Sequence, residues 1–137
     1  MAQYRVEVAQ DFKQPVAATF KALSDHDNLS KVLGVPVKRI RDGAPGVNGV
    51  GSVRRVGGPL AIEETVVALV ANKSIDYKIT RGGAPLRNHH GRLDFKALPN
   101  AGSQVHWLIT FDAPPLIGAL IGGVLKIAIG RGLKRID

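Results

Sequence analysis

The sequence predicts an α+β fold: a curved antiparallel sheet of about seven strands, two short helices after the first strand, and one long C-terminal helix over the sheet. Three observations carry this. Alternating apolar and polar residues recur along most of the chain in segments separated by Gly, Pro and Asn. Helical spacing before the end of the chain is confined to a short region after the first strand. After Pro114-Pro115 comes an apolar stretch from Leu116 to Ile136 of helical length. That helix has no helical partner of comparable length, so it must pack on the sheet, and such an arrangement encloses a chamber.

The elements follow in order. Tyr4, Val6, Val8, Gln10 and Phe12 share one parity and Arg5, Glu7 and Asp11 the other, the period of a half-buried strand over 3–12. Pro15 suits a first helical turn, and Val16, Phe20 and Leu23 then repeat at helical spacing, so 15–23 is a short amphipathic helix. Ser24 and Asp25 end it and cap a second helix, with Leu29, Val32 and Leu33 inward and Gly34 as its stop. Strands are expected at Val35–Arg41, Val50–Val56, Leu60–Val70, Ile75–Arg81, His89–Leu98 and Val105–Asp112, joined by turn-forming residues into an antiparallel meander.

Projected at a hundred degrees per residue, the last helix places Lys126, Arg131, Lys134, Arg135 and Asp137 in one half and Gly118, Ile121, Leu125, Ile129, Gly132 and Ile136 in the other. From Leu116 to Leu125 no face carries a charge, so that end needs cover from a ligand chamber, a partner or a membrane surface. Because a membrane span takes about twenty apolar residues, Lys126 argues against a transmembrane segment.

Composition narrows the function classes. The 137 residues fit a single domain, 1–137, with one core. There is no cysteine, which excludes disulfides, thiolate metal sites and cysteine nucleophiles. The N-terminus lacks the pattern of a signal peptide, and a cytoplasmic protein is the default expectation. The net charge of +8 favours anionic partners, but its basic residues are scattered from Lys38 to Arg135 without interleaved aromatics, so no specific nucleic acid is expected. Six glycines from 43 to 58 suggest a phosphate cradle, yet no Gly-Lys-Ser/Thr ending or helix pattern follows.

Several local motifs occur in a telling order: Pro15-Val16-Ala17-x-x-Phe20-x-x-Leu23-Ser24-Asp25, then Asn28-Leu29, then Gly49-x-Gly51-Ser52-x-Arg54. Ile62-x-Glu64-x-Val66, Tyr77 and Val105-x-Trp107 follow. Together they resemble the START-like (SRPBCC) superfamily, specifically its bacterial polyketide cyclase/dehydrase-like branch, over essentially the whole chain. The resemblance implies a helix-grip fold with a deep apolar cavity between sheet and helix, in a family whose members bind lipids, sterols, quinones, plant hormones or polyketides. It transfers no activity, because these proteins share no universal catalytic residue.

Candidate site residues come from alternation. Ser52, Arg54 and Val56 share a parity, and a turn centred on Gly58 would pair Arg54 with Glu64 on the inner face, where Ile62, Val66, Ala68 and Val70 are also expected. Such an ion pair could anchor a ligand carboxylate, phosphate or enolate oxygen, or could be a partly wet pair at the sheet edge. Tyr77 lies with Ile75, Ile79 and Arg81; a phenol there can orient a ligand carbonyl, although packing with a satisfied hydroxyl is the commoner role. His89 is a candidate general base, beside the plainer reading of a hydrogen-bonded strand histidine. Its neighbour His90 points to the opposite face, so the two cannot share a metal, and no metal site is expected. Ser24-Asp25-His26-Asp27 holds triad residue types in a row, but contiguous residues diverge in space, and capping explains them.

The first expectation is a binding or carrier protein for a small hydrophobic molecule with a carbonyl or acidic group. Leu29, Val32, Leu33, Val66, Trp107, Leu120 and Val124 would line the chamber, and Arg54, Glu64, Tyr77 and His89 would supply polarity. The second is a cyclase/dehydratase-type enzyme in which Arg54 polarises a carbonyl and Glu64 or His89 moves the adjacent proton. The third is a membrane or protein interaction module acting through the 116–125 helix end. No cofactor is implied, and a monomer or weak homodimer is expected.

Overall fold

The computed structural model describes residues 1–57 and 62–136. Its order is β1 (Ala2–Phe12), α1 (Val16–Ser24), α2 (His26–Leu33), β2 (Val37–Arg41), β3 (Val53–Val56), β4 (Ile62–Val70), β5 (Ser74–Arg81), β6 (Arg87–Ala97), β7 (Ser103–Ala113) and α3 (Pro115–Lys134). The strands form one seven-stranded antiparallel sheet in the order β1-β7-β6-β5-β4-β3-β2. This is the α+β helix-grip architecture expected from the sequence. The turn predicted around Gly58 and the start of the strand predicted from Leu60 lie outside the described residues.

Local chemistry explains the joints. The Asp25 side chain accepts a hydrogen bond from the Asp27 N–H at 3.0 Å and caps α2, which ends at Gly34 in the left-handed conformation with φ 72°. The strand predicted over Val50–Val56 begins at Val53, because Gly43 and Gly49 fold the preceding loop back on itself; a Cβ on Gly49 would lie 2.5 Å from the Ala44 carbonyl oxygen. Within β4 the predicted alternation fails after Val66. A register irregularity between Val66 and Ala68 against β5 turns Leu69 toward the core and leaves Ala68 and Val70 exposed.

The core lies between the concave face of the sheet and the helices, with Val6, Phe12, Leu23, Leu29, Val32, Ile75, Val105, Phe111, Ile129 and Leu133 buried in it. The inward half of α3 is the one projected from sequence: Gly118, Ile129 and Gly132 are buried, and Ile121, Leu125 and Ile136 are half-buried. Two glycines seat the helix. A Cβ on Gly118 would fall 2.1 Å from the Tyr4 ring, whose hydroxyl donates to the Pro115 carbonyl. A Cβ on Gly132 would fall 1.8 Å from the Val32 carbonyl oxygen on α2. The helix is therefore held closely to β1 at one end and to α2 at the other, and its middle crosses the sheet.

By length and composition α3 is apolar enough to cross a membrane, with a mean hydropathy of 1.7 over its most apolar window. Lys126 does not interrupt it by composition as expected: the window holds both Lys126 and Arg131, and its aliphatic residues outweigh the two charges. Only 22% of that window is buried, so much of this apolar helix faces outward although it packs on β1 and α2.

Candidate functional site

A cavity of about 330 Å³ lies between the middle of α3 and the sheet, within the range of small-molecule sites. Ile121, Val124, Leu125, Ala128 and Ile129 form its roof. Below them are Val56, Ile62, Ile79, Leu86, Trp107 and Ile109 from the sheet and its connections, and Leu33 and Val35 stand at one end. The polar side chains in this lining are Arg54, Glu64, Tyr77 and His89, set among otherwise aliphatic walls and Trp107.

Strand register brings these groups together. Arg54 on β3 is directly opposite Glu64 on β4, and both side chains are buried. The Arg54 Nε donates to Glu64 Oε1 at 2.8 Å. The plane of the guanidinium therefore has a fixed edge toward the carboxylate, and its terminal nitrogens have no hydrogen-bond partner among the described residues. Its Cζ lies 4.7 Å from the centre of the Tyr77 ring, a cation–π contact that holds it from another side.

Tyr77 is seated by a missing side chain. Gly91 faces it across the β5–β6 pair, and a Cβ there would come within 2.1 Å of the ring. The phenol oxygen accepts a hydrogen bond from Trp107 Nε1 at 2.9 Å, leaving its own O–H as a donor. Burial, reinforced by the nearby Glu64 charge, pushes the phenol pKa up, so it stays protonated.

His89 is fixed in the opposite sense from a base. Its Nδ1 accepts the Ile79 backbone N–H at 3.0 Å, so a neutral ring carries its hydrogen on Nε2. Burial lowers the imidazole pKa, with His90 and Arg54 adding to the effect against the opposing pull of Glu64. The outcome is a neutral N–H donor at the chamber wall. Nδ1 is thus engaged by the backbone, and Nε2, which carries the hydrogen in the neutral ring, is placed to donate and not to act as a base. Glu64 is the group among these that can accept a proton; Arg54, Tyr77 and His89 all donate hydrogen bonds.

Leu33, Arg54, Glu64, Tyr77, His89, Trp107 and Val124 line this cavity. Leu29, Val32 and Val66 are instead fully packed in the core and do not reach the cavity. Leu120 is on the outer face of α3 and exposed, a correction that follows from its helical phase, eleven residues before Arg131. Arg81 is also outside: it is exposed and lies 3.9 Å from Glu63. Sequence reasoning did not assign Val35, Leu86 or Ala128 to the chamber: Val35 was expected to open a strand that begins only at Val37, Leu86 lies in the connection before β6, and the small side chain of Ala128 gave no signal.

Behind Arg54 lies a second polar group. His26 is fully buried, its Nε2 is 3.3 Å from Ser52 Oγ, and its Nδ1 has no hydrogen-bond partner among the described residues. Burial, with Arg54 and Arg39 nearby and Asp25 opposing, lowers its pKa from 6.5 to about 4. The described residues contain no cluster of His, Cys, Asp or Glu able to hold a metal.

Comparison with known proteins agrees with this geometry. Solved structures share the fold at low identity. A Thermobifida fusca protein matches with a TM-score of 0.74 and 17% identity, covering 97% of this chain and 95% of that one. A Nitrosospira multiformis protein matches with a TM-score of 0.68 and 16% identity, covering 93% and 94%. Ara h 8.0201 matches with a TM-score of 0.61 and 20% identity, covering 97% and 99%. No curated protein matches the sequence. A family model described as polyketide cyclase / dehydrase and lipid transport matches residues 3–136. A match of that extent, on a chain whose sheet and long helix enclose an apolar chamber, means that the chain belongs to the polyketide cyclase/dehydrase and lipid transport family.

Proposed function

We propose that this protein binds a small apolar molecule carrying one carbonyl or acidic oxygen, with its apolar body beneath α3 and that oxygen at Arg54 and His89. The observation that carries the reading is the distribution of polarity: the walls are otherwise apolar, and among the polar residues that line them Arg54 spends only its Nε on Glu64 and His89 only its Nδ1 on the Ile79 N–H, which leaves donors on both side chains. Apolar area supplies most of the binding in such a site, and the few donors fix orientation. Glu64 on the same wall supports a second reading, catalysis of the cyclase/dehydratase type. In it the donors polarise a ligand carbonyl and Glu64 takes the proton from the adjacent carbon.

The test uses the protein's single tryptophan, Trp107, which lines the chamber. Energy transfer from Trp107 to anilinonaphthalene sulfonate, an apolar anion, reports occupancy of this space. Replacing both members of the ion pair, Arg54→Met with Glu64→Met, removes the donor without stranding a buried carboxylate. A charge-assisted hydrogen bond contributes about 1.5–3 kcal/mol, so affinity should fall about ten- to a hundredfold. Equal affinity in the double variant would eliminate the anchoring role, and absence of energy transfer in the wild type would eliminate the chamber as a binding site. Gentle native mass spectra beside denaturing spectra would then give the mass of any co-purified ligand.

A further inference from the structure

The outer face of α3 carries one continuous stripe. Leu116, Leu120, Val124, Ile127, Arg131 and Lys134 follow one another at spacings of three and four residues, which places them on a single side of the helix. The first four are 88%, 69%, 58% and 58% exposed, and Ile117 flanks them at 44%. Scattered exposed aliphatic residues are ordinary, but a row of them on one helix is an interaction surface. The same row ends in cations. Arg131 and Lys134 continue it, and Arg135 stands beside Arg131 in a shallow groove with Val124, Ile127 and Ala128. Arg135 is held there by donating from Nη1 to the Lys31 carbonyl at 3.0 Å. No acidic residue occurs between Pro115 and Lys134.

We propose that this stripe docks on an anionic lipid bilayer, lying in the plane of the interface with its aliphatic end among the acyl chains and its basic end at the phosphates. Charge decides between this occupant and a second copy of the chain. Two copies meeting through α3 would bring their basic ends together, or set them against an uncharged end, with no carboxylate on either helix and a net charge of +8 on each chain. An anionic bilayer meets both halves of the stripe, since apolar burial and electrostatic attraction combine in interfacial helices.

The position of the stripe gives docking a use, and this part rests on the chamber being a ligand site. Val124, Ala128 and Leu33 line both the chamber and the outer groove, so the stripe lies against one wall of the chamber. A docked helix would let an apolar molecule pass between acyl chains and chamber without crossing water.

The test mixes the full chain with vesicles of phosphatidylcholine alone, or of phosphatidylcholine with phosphatidylglycerol, and measures bound protein by sedimentation across a salt series. Anionic vesicles should bind at least tenfold better than neutral ones, less so as salt rises. Leu116→Glu with Leu120→Glu alters only the outer end of the stripe. It should reduce vesicle binding at least tenfold while leaving the circular dichroism spectrum and Trp107 energy transfer unchanged. Arg131→Gln with Lys134→Gln should weaken binding by about fivefold for each charge removed. Absence of vesicle binding, indifference to vesicle charge, or binding unchanged by the two glutamates would overturn the proposal. So would a dimer in sedimentation velocity that those glutamates dissolve, because the occupant would then be a second copy. Vesicle binding by a chain whose Trp107 shows no energy transfer would support docking and dismiss only the chamber reading.

Discussion

The buried His26 makes acid stability a direct test of the site's construction. Its ring is fully enclosed behind Arg54, and Nε2 is within 3.3 Å of Ser52 Oγ while Nδ1 finds no partner among the described residues. In the unfolded chain this histidine takes up a proton near its ordinary pKa of 6.5, whereas in the fold it resists protonation down to about 4. The unfolded state therefore binds more protons between those values, and stability falls as pH falls. The contribution is fully present above about pH 6.5 and is lost progressively toward pH 4. At 1.36 kcal/mol per pH unit, the shift from 6.5 to about 4 corresponds to about 3 kcal/mol, a large share of a small domain's stability. His26→Gln removes the titration while its amide can still reach Ser52. Urea unfolding of both proteins, followed by circular dichroism at pH steps from about 7 to about 4, isolates the effect, because the other titrating groups are common to both chains. The stability of wild type minus variant should drop by about 3 kcal/mol across that range. A difference that stays level would mean that the ring is not held neutral, and the reasoning would fail.

The ion pair and the aromatic seat give two further tests. Arg54→Met alone leaves Glu64 buried without its partner and should cost about 3–5 kcal/mol in urea unfolding, whereas Arg54→Met with Glu64→Met should be near neutral. A double variant as unstable as the single one would assign the pair a structural role. Gly91→Ala puts a methyl group 2.1 Å from the Tyr77 ring and should destabilise by about 1–3 kcal/mol. The same change should shift Trp107 emission as the Tyr77 hydrogen bond is disturbed, and an unaltered spectrum would show that the ring has room to move.

The parts of this molecule that follow a regular period were legible in its sequence. Alternation put Val6 and Phe12 on the buried face of the first strand, and the expected turn position paired Arg54 with Glu64, as the β3–β4 register does. Alternation stops being informative at an irregularity, and nothing in Val66-Val67-Ala68 marks the one that exposes Ala68 and Val70. Leu120 shows a different failure. Hydrophobicity suggested a chamber residue, although the phase shared with Arg131 and Lys134 pointed outward. The burial of His26 had no sequence signal, because it arises where the start of α2 meets the loop carrying Ser52, a contact between segments distant in the chain. The same holds for the His89 tautomer, which depends on which ring nitrogen meets the Ile79 N–H.

The glycine seats at Gly118 and Gly132 have a bearing on how this chamber can change over time. Both lie outside the cavity, one against Tyr4 and the other against the Val32 carbonyl, so the height of α3 above the sheet is set by contacts that no ligand touches. The roof residues between them, Ile121, Val124, Leu125 and Ala128, can be exchanged for larger or smaller ones while the ends of the helix stay in place. Ligand size is then adjustable one side chain at a time without renegotiating the packing that keeps the chain folded. A scaffold with that separation can take on new cargo through single substitutions, each tested by selection on binding alone.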